Sequence, residues 1–83
     1  MKKILTKKDL FKVIAKSLDI SEKKINEKTN SNNIDNWDSM SHLTLLISLN
    51  KALSGKAQKI QELSEAYSVK KIVQILIKKK LLK

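Results

Sequence analysis

The chain has 83 residues with 18 lysines, no arginine, no cysteine, no proline and a single glycine, and its formal net charge is +10. A chain this short makes one domain at most and buries only about 60 to 65% of its unfolded surface. Lack of cysteine excludes a disulfide framework, a thiolate nucleophile and a cysteine metal site. One glycine and no proline leave too little turn chemistry for a sandwich or barrel of many short strands.

The opening MKKIL resembles the charged start of a secretory leader. Lys7, Lys8 and Asp9 interrupt the apolar stretch such a leader needs, and no run approaches a membrane span, so a cytoplasmic location without membrane insertion is expected. Thr6, with Asp9 three residues on, has the pattern of a capping box, and Leu5 and Leu10 stand where a hydrophobic staple would pair them. A first helix is therefore expected from Lys7 to about Leu18, with Leu10, Phe11, Ile14 and Leu18 on its inner face and Lys8, Lys12 and Lys16 outside.

From Asp19 to Trp37 the periodicity is poor and Asn and Ser cluster in NSNN. Ile20, Ile25 and Ile34 are the available anchors, so this segment reads as a long ordered loop, which tends to be functional in a compact domain. Asp38 or Ser39 can cap a second helix over about 39–53. Met40, Leu43, Leu46, Ile47 and Leu53 make its apolar stripe, broadened by Leu45 and Leu49, and Gly55 is placed to end it in a left-handed conformation. Ile60 to Glu65 can form one or two turns, with Ile60 and Leu63 three apart. Ser68 caps a last helix that turns Val69, Ile72, Val73 and Leu76 inward and Lys70, Lys71 and Lys78 outward. Residues 78–83 read as a frayed basic tail. Twenty-five Leu, Ile and Val residues against three aromatics (Phe11, Trp37, Tyr67) supply an aliphatic core. The expected fold is all-α, one domain over 1–83, with three main helices, a short helix third in order, and a long loop between helices one and two.

A balance this basic raises nucleic acid or an anionic membrane surface as a partner. The charge is uneven: six lysines against Asp9 leave +5 over 1–18, six lysines without an acid give +6 over 66–83, and the middle 47 residues hold six lysines against seven acids. The serine-bearing middle is thus nearly neutral, and the absence of arginine weakens the nucleic-acid reading, because bidentate and stacking contacts favour guanidinium.

Ser39 falls in the first turn of the second helix, where unsatisfied backbone N–H groups and about half a positive elementary charge favour an anion such as a phosphate ester. Asp38 beside it would repel that phosphate unless it caps the helix or shares a cation with it. The order of elements, with Asp38-Ser39-Met40 opening the apolar helix and YSV opening the last, resembles the acyl carrier protein family over nearly the whole chain. The resemblance implies a four-helix bundle of acyl-carrier type that catalyses nothing itself. It also implies a 4′-phosphopantetheine arm on Ser39, supplied from coenzyme A, whose thiol holds acyl or aminoacyl groups as thioesters. Implied partners are a phosphopantetheinyl transferase, a cargo-loading ligase or synthase and an acceptor acyltransferase, met by a monomeric carrier. The Trp37-Asp38-Ser39, His42 and Leu43 pattern looks like carriers of specialised pathways.

Family members are typically acidic along the second helix, whereas here Asp38 is its only acid. Partner recognition is therefore expected to rest on Trp37, Met40, His42 and Leu43, and an acyl groove on Leu43, Ile47, Ile60 and Leu63. His42, three residues after Ser39, also suggests a Ser–His nucleophile, but no acid is placed to orient the imidazole, so a surface histidine at the partner-facing edge is expected. As a metal ligand His42 has neither a second histidine nor a cysteine to join it. Trp37 reads as a plug between loop and helix. The competing reading is a lysine-rich module for nucleic acid or anionic membranes, with KIVQILIKKKLLK as a surface helix. An interaction protein without chemistry is a third.

Overall fold

A computed structural model describes residues 4–82. Three α-helices, α1 (Lys7–Leu18), α2 (Ser39–Ala52) and α3 (Val69–Lys78), are joined by connections that contain only short 3-10 segments and, among the described residues, no strand. None of these helices is long and apolar enough to cross a membrane.

Each helix begins on a side-chain cap. Thr6 Oγ1 accepts from the Asp9 amide at 3.1 Å and the Thr6 amide donates to Asp9 Oδ2 at 3.4 Å, completing the expected capping box. Asp38 Oδ1 accepts from the Ser41 amide at 2.9 Å, and Ser68 Oγ from the Lys71 amide at 3.1 Å. A satisfied donor at each start offsets part of the loss of backbone–water bonds.

The helices end alike. Asp19, Ser54 and Lys80 take positive φ (56°, 55° and 61°), and the residue after each donates its amide back to Ala15, Asn50 and Leu76 respectively. With the bonds from the amides of Asp19, Ser54 and Lys80 to Lys16, Lys51 and Ile77, these make the Schellman closure, normally formed with glycine in the left-handed position. Gly55 is left-handed as expected, at φ 86°, but Ser54 before it already makes the turn.

The core is one aliphatic cluster. α1 contributes Leu10, Ile14, Ala15 and Leu18, with Phe11 half-buried; α3 contributes Val69, Ile72, Val73 and Leu76. α1 packs on α2, and α3 packs on the 3-10 segment Gln61–Glu65. On α2 the inner stripe is His42, Leu45 and Leu49, continued by Leu53. This corrects the expected stripe: Met40, Leu43 and Ile47 are exposed (75%, 56% and 52%), and only Leu46 and Leu53 of that set lie against or within the core. α2 is apolar around most of its circumference, so periodicity could not select a face.

The segment expected to make a short helix, Ile60 to Glu65, forms the 3-10 segment Gln61–Glu65, and a second one that was not expected, Ala57–Lys59, precedes it; Ala57, Ile60 and Leu63 are buried along this stretch. The long loop carries one 3-10 turn, Glu22–Lys24, and buries Ile25, Thr29 and Trp37. Its asparagines act as turn formers: Asn26 and Asn30 side chains accept from amides two residues on, and Asn36 Nδ2 donates to the Leu18 carbonyl at 3.0 Å. Two backbone bonds, Ser31 to Tyr67 and Val69 to Thr29, tie this loop to the start of α3.

The basic tail is not frayed where it is described. Leu81 and Leu82 are buried, the Leu5 amide donates to the Leu81 carbonyl at 3.0 Å, and Leu5 and Leu82 form an isolated parallel bridge. The physical reason is the Schellman closure at Lys80, which folds the two leucines back onto the bundle. Lys83 lies outside the described residues.

Candidate functional site

Ser39 is the first residue of α2 and is exposed. The capping oxygen comes from Asp38, so Ser39 presents its hydroxyl to solvent without holding the helix end. The Asp38 carboxyl is held below its ordinary range, chiefly by the Ser41 amide that donates to it. A charge fixed on the amide groups of its own helix start is partly neutralised there. The unfavourable neighbour foreseen for a phosphate on Ser39 is therefore already engaged.

Beyond Ser39, the solvent side of α2 continues as Met40, Leu43 and Ile47, at i, i+3 and i+7. This spacing lines three large side chains along one exposed face. Next to that face, between α2 and the 3-10 segments, lies an open groove of about 540 Å³ with Leu46, Ile47, Ala57 and Ile60 as its apolar wall and Asn50 and Gln61 among its polar lining. Of the four expected groove residues, Ile47 and Ile60 line it. Leu43 stands outside it on the exposed face and Leu63 is sealed in the core at 1% exposure.

Trp37 and His42 do not face a partner. Both are buried, at 3% and 2% exposure, which corrects the expected surface position of the histidine. The reason is a network that fills the imidazole's hydrogen-bonding capacity. Trp37 Nε1–H donates to Nδ1 at 3.0 Å, Nε2 lies 2.8 Å from the Leu63 carbonyl, and the Tyr67 ring stacks on the imidazole with centroids 4.0 Å apart. Burial pushes the imidazole pKa down, while the Leu63 carbonyl acts in the opposite direction. With both nitrogens engaged, neither is available to activate Ser39, so a Ser–His dyad is not assembled here. Trp37 is the plug expected from the sequence. Neither Tyr67 nor the Leu63 carbonyl was foreseen; a backbone acceptor 21 residues away carries no sequence signal.

Among the described residues, no group of three His, Cys, Asp or Glu side chains is placed to hold a metal ion. The exposed hydroxyl, the capped helix start, the apolar face and the adjoining groove form one continuous surface on α2. No family model matches the chain, and no curated protein or solved structure matches it either.

Proposed function

We propose that the chain is a non-catalytic carrier, a four-helix bundle of acyl-carrier type with Gln61–Glu65 as its short third helix. It would hold acyl or aminoacyl groups on a 4′-phosphopantetheine arm attached to Ser39. The observation that carries this reading is the exposed Ser39 hydroxyl at the head of α2, relieved of the capping role by Asp38 and followed on the solvent side by Met40, Leu43 and Ile47.

The residues fit such an arm. A phosphodiester on Ser39 would meet the amide groups of the first turn of α2 and the positive end of its dipole. When attached, the arm supplies the thiol that the cysteine-free chain lacks. Ser39 is then the substrate of a phosphopantetheinyl transferase, to which its hydroxyl gives up a proton. Met40, Leu43 and Ile47 form the docking face for the transferase, the loading ligase or synthase and the acceptor acyltransferase, in place of the acidic contacts usual in the family. The Ile47 and Ile60 groove offers shelter to an apolar cargo of modest size. The gain for the partner reactions is effective concentration, since one tether links donor and acceptor chemistry.

The test is intact-mass measurement of the protein and of Ser39→Ala after incubation with coenzyme A, Mg²⁺ and a broad-specificity transferase. A gain of one phosphopantetheine in the first and none in the second is expected. If the protein from its own cell also never carries the group, the carrier reading fails.

A second reading has its own observation. The Leu5–Leu82 bridge joins the two most basic ends of the chain, which suits binding of nucleic acid or an anionic membrane. It predicts affinity that falls steeply with salt, is lost when lysines at the ends are replaced, and is indifferent to Ser39→Ala.

A further inference from the structure

His42 is the only histidine in the chain, and nothing in the carrier reading uses it. Its ring joins three segments: Trp37 at the end of the long loop, α2 itself, and Leu63 in the segment Gln61–Glu65 with Tyr67 beyond. An indole N–H can only donate and a carbonyl can only accept. Nδ1 therefore turns its lone pair to Trp37, and Nε2 carries the proton bonded to Leu63. The Leu63 carbonyl accepts from Nε2–H whether the ring is neutral or protonated, whereas the Trp37 bond requires the neutral ring in this tautomer. A proton added at Nδ1 would set one N–H against another across 3.0 Å, and Trp37 would have to withdraw.

The groups around the ring do not favour its charge. On α2, Asp38 lies one turn earlier, but its carboxylate is exposed and bonded to the Ser41 amide. The loop contributes the uncharged Trp37. Glu62 and Glu65 lie either side of Leu63 and are both exposed, and Tyr67 presents the face of its ring. The Tyr67 face, 4.0 Å from the imidazole between centroids, would accept a cation, and the Trp37 ring stacks more distantly at 6.2 Å. Burial acts against it, and the net direction for the imidazole is downward.

We propose that His42 is a pH-operated latch: neutral, it fastens the long loop to the first turns of α2 through Trp37; protonated, it releases Trp37 while keeping its bond to Leu63. The released segment runs directly into Asp38 and Ser39, so acidification loosens the turn that presents the serine. The latch belongs to the fold and stands whether or not Ser39 carries an arm.

With one histidine and one tryptophan in the chain, the two side-chain signals are unambiguous in ¹⁵N NMR of the full-length protein. The pH is lowered from about 8 to about 5, which spans the ordinary imidazole range. The imidazole should start as the Nε2–H tautomer and titrate below its ordinary 6.5. The Trp37 indole N–H should shift and lose exchange protection with the same midpoint, while the amides of Ile14 and Leu18 in α1 stay protected. A Trp37 signal that ignores the His42 titration overturns the latch. So does simultaneous loss of protection at Ile14 and Leu18, which would be plain acid unfolding. Trp37→Phe keeps an apolar ring but removes the donor, so the His42 midpoint should rise towards 6.5; an unchanged midpoint also overturns the proposal.

Discussion

At the scale of single residues, the head of α2 separates two roles that the sequence leaves shared between neighbours. Asp38 holds the helix end and Ser39 faces solvent, so Ser39→Ala should change stability by less than about 0.5 kcal/mol. Asp38→Ala should lower the thermal midpoint, because the Ser41 amide loses its acceptor. Circular dichroism melts of both variants check this, and a destabilised Ser39→Ala would mean that the hydroxyl does structural work. The acid dependence of stability has two windows. Asp38 and Glu27 have folded pKa values below their ordinary 3.8 and 4.5, so their contributions are complete above those values and fade as pH falls through the lower folded ones. His42 acts earlier. Its folded pKa lies below the 6.5 of the free side chain, so below 6.5 the unfolded chain binds the extra proton and stability falls as the solution is acidified. Thermal midpoints should therefore be flat above about pH 7 and begin to drop near pH 6, well before the carboxylates titrate.

At the scale of elements, α2 is the unusual helix, since it is apolar towards the core and along part of its solvent side. Leu49 is fully buried and Ile47, two residues earlier, is 52% exposed. Leu49→Ala should cost about 2–5 kcal/mol in a denaturant titration, whereas Leu43→Ser or Ile47→Ser should stay within about 0.5 kcal/mol. If α2 is a docking face, the two serine variants should instead slow modification of Ser39 by the transferase at unchanged stability. The helix ends are a second feature of this scale. Asp19, Ser54 and Lys80 hold left-handed conformations that favour glycine, in a chain with only one glycine. Lys80 has neither the short side chain nor the local hydrogen bonding that makes the conformation tolerable for Asp. Lys80→Gly should therefore stabilise the protein by about 1 kcal/mol, read as a raised denaturant midpoint.

At the scale of the whole molecule, two opposed terms meet at the joined ends. Burial of Leu81 and Leu82 and the bond from Leu5 to Leu81 close the bundle, while the charge of +10 resists compaction. The described ion pairs do little against that repulsion. Lys7 and Glu27 meet at 2.7 Å, and Glu62 lies 3.9 Å from both Lys78 and Lys79, but all are substantially exposed. Raising the salt concentration should accordingly raise the thermal midpoint by screening like charges, the reverse of what a fold held by surface ion pairs would show. Leu81→Ala should cost about 2 kcal/mol, close to a core substitution, although the residue stands among lysines.

Legible in the sequence were the all-helical class, the limits of α1 and α2 to within a residue or so, the start of α2 at Asp38-Ser39, the start of α3 at Ser68, and the inner faces of α1 and α3. These are local properties: caps act within one turn, and a helix with charge on one side declares which side is dry. The inner face of α2 was not legible, because apolar residues on both sides satisfy the same periodicity and only contact with α1 and the 3-10 segments chooses between them. Burial of His42 was hidden for a related reason, since its partners are an indole across the helix start and a carbonyl remote in sequence. Tertiary structure also decided that the lysine-rich tail docks, because the two leucines between its charges are buried only when Leu5 is there to meet them. The candidate site follows the same division: the serine's place at a helix start is written locally, but the apolar face and groove beside it exist only because the rest of α2 turned its other side to the core.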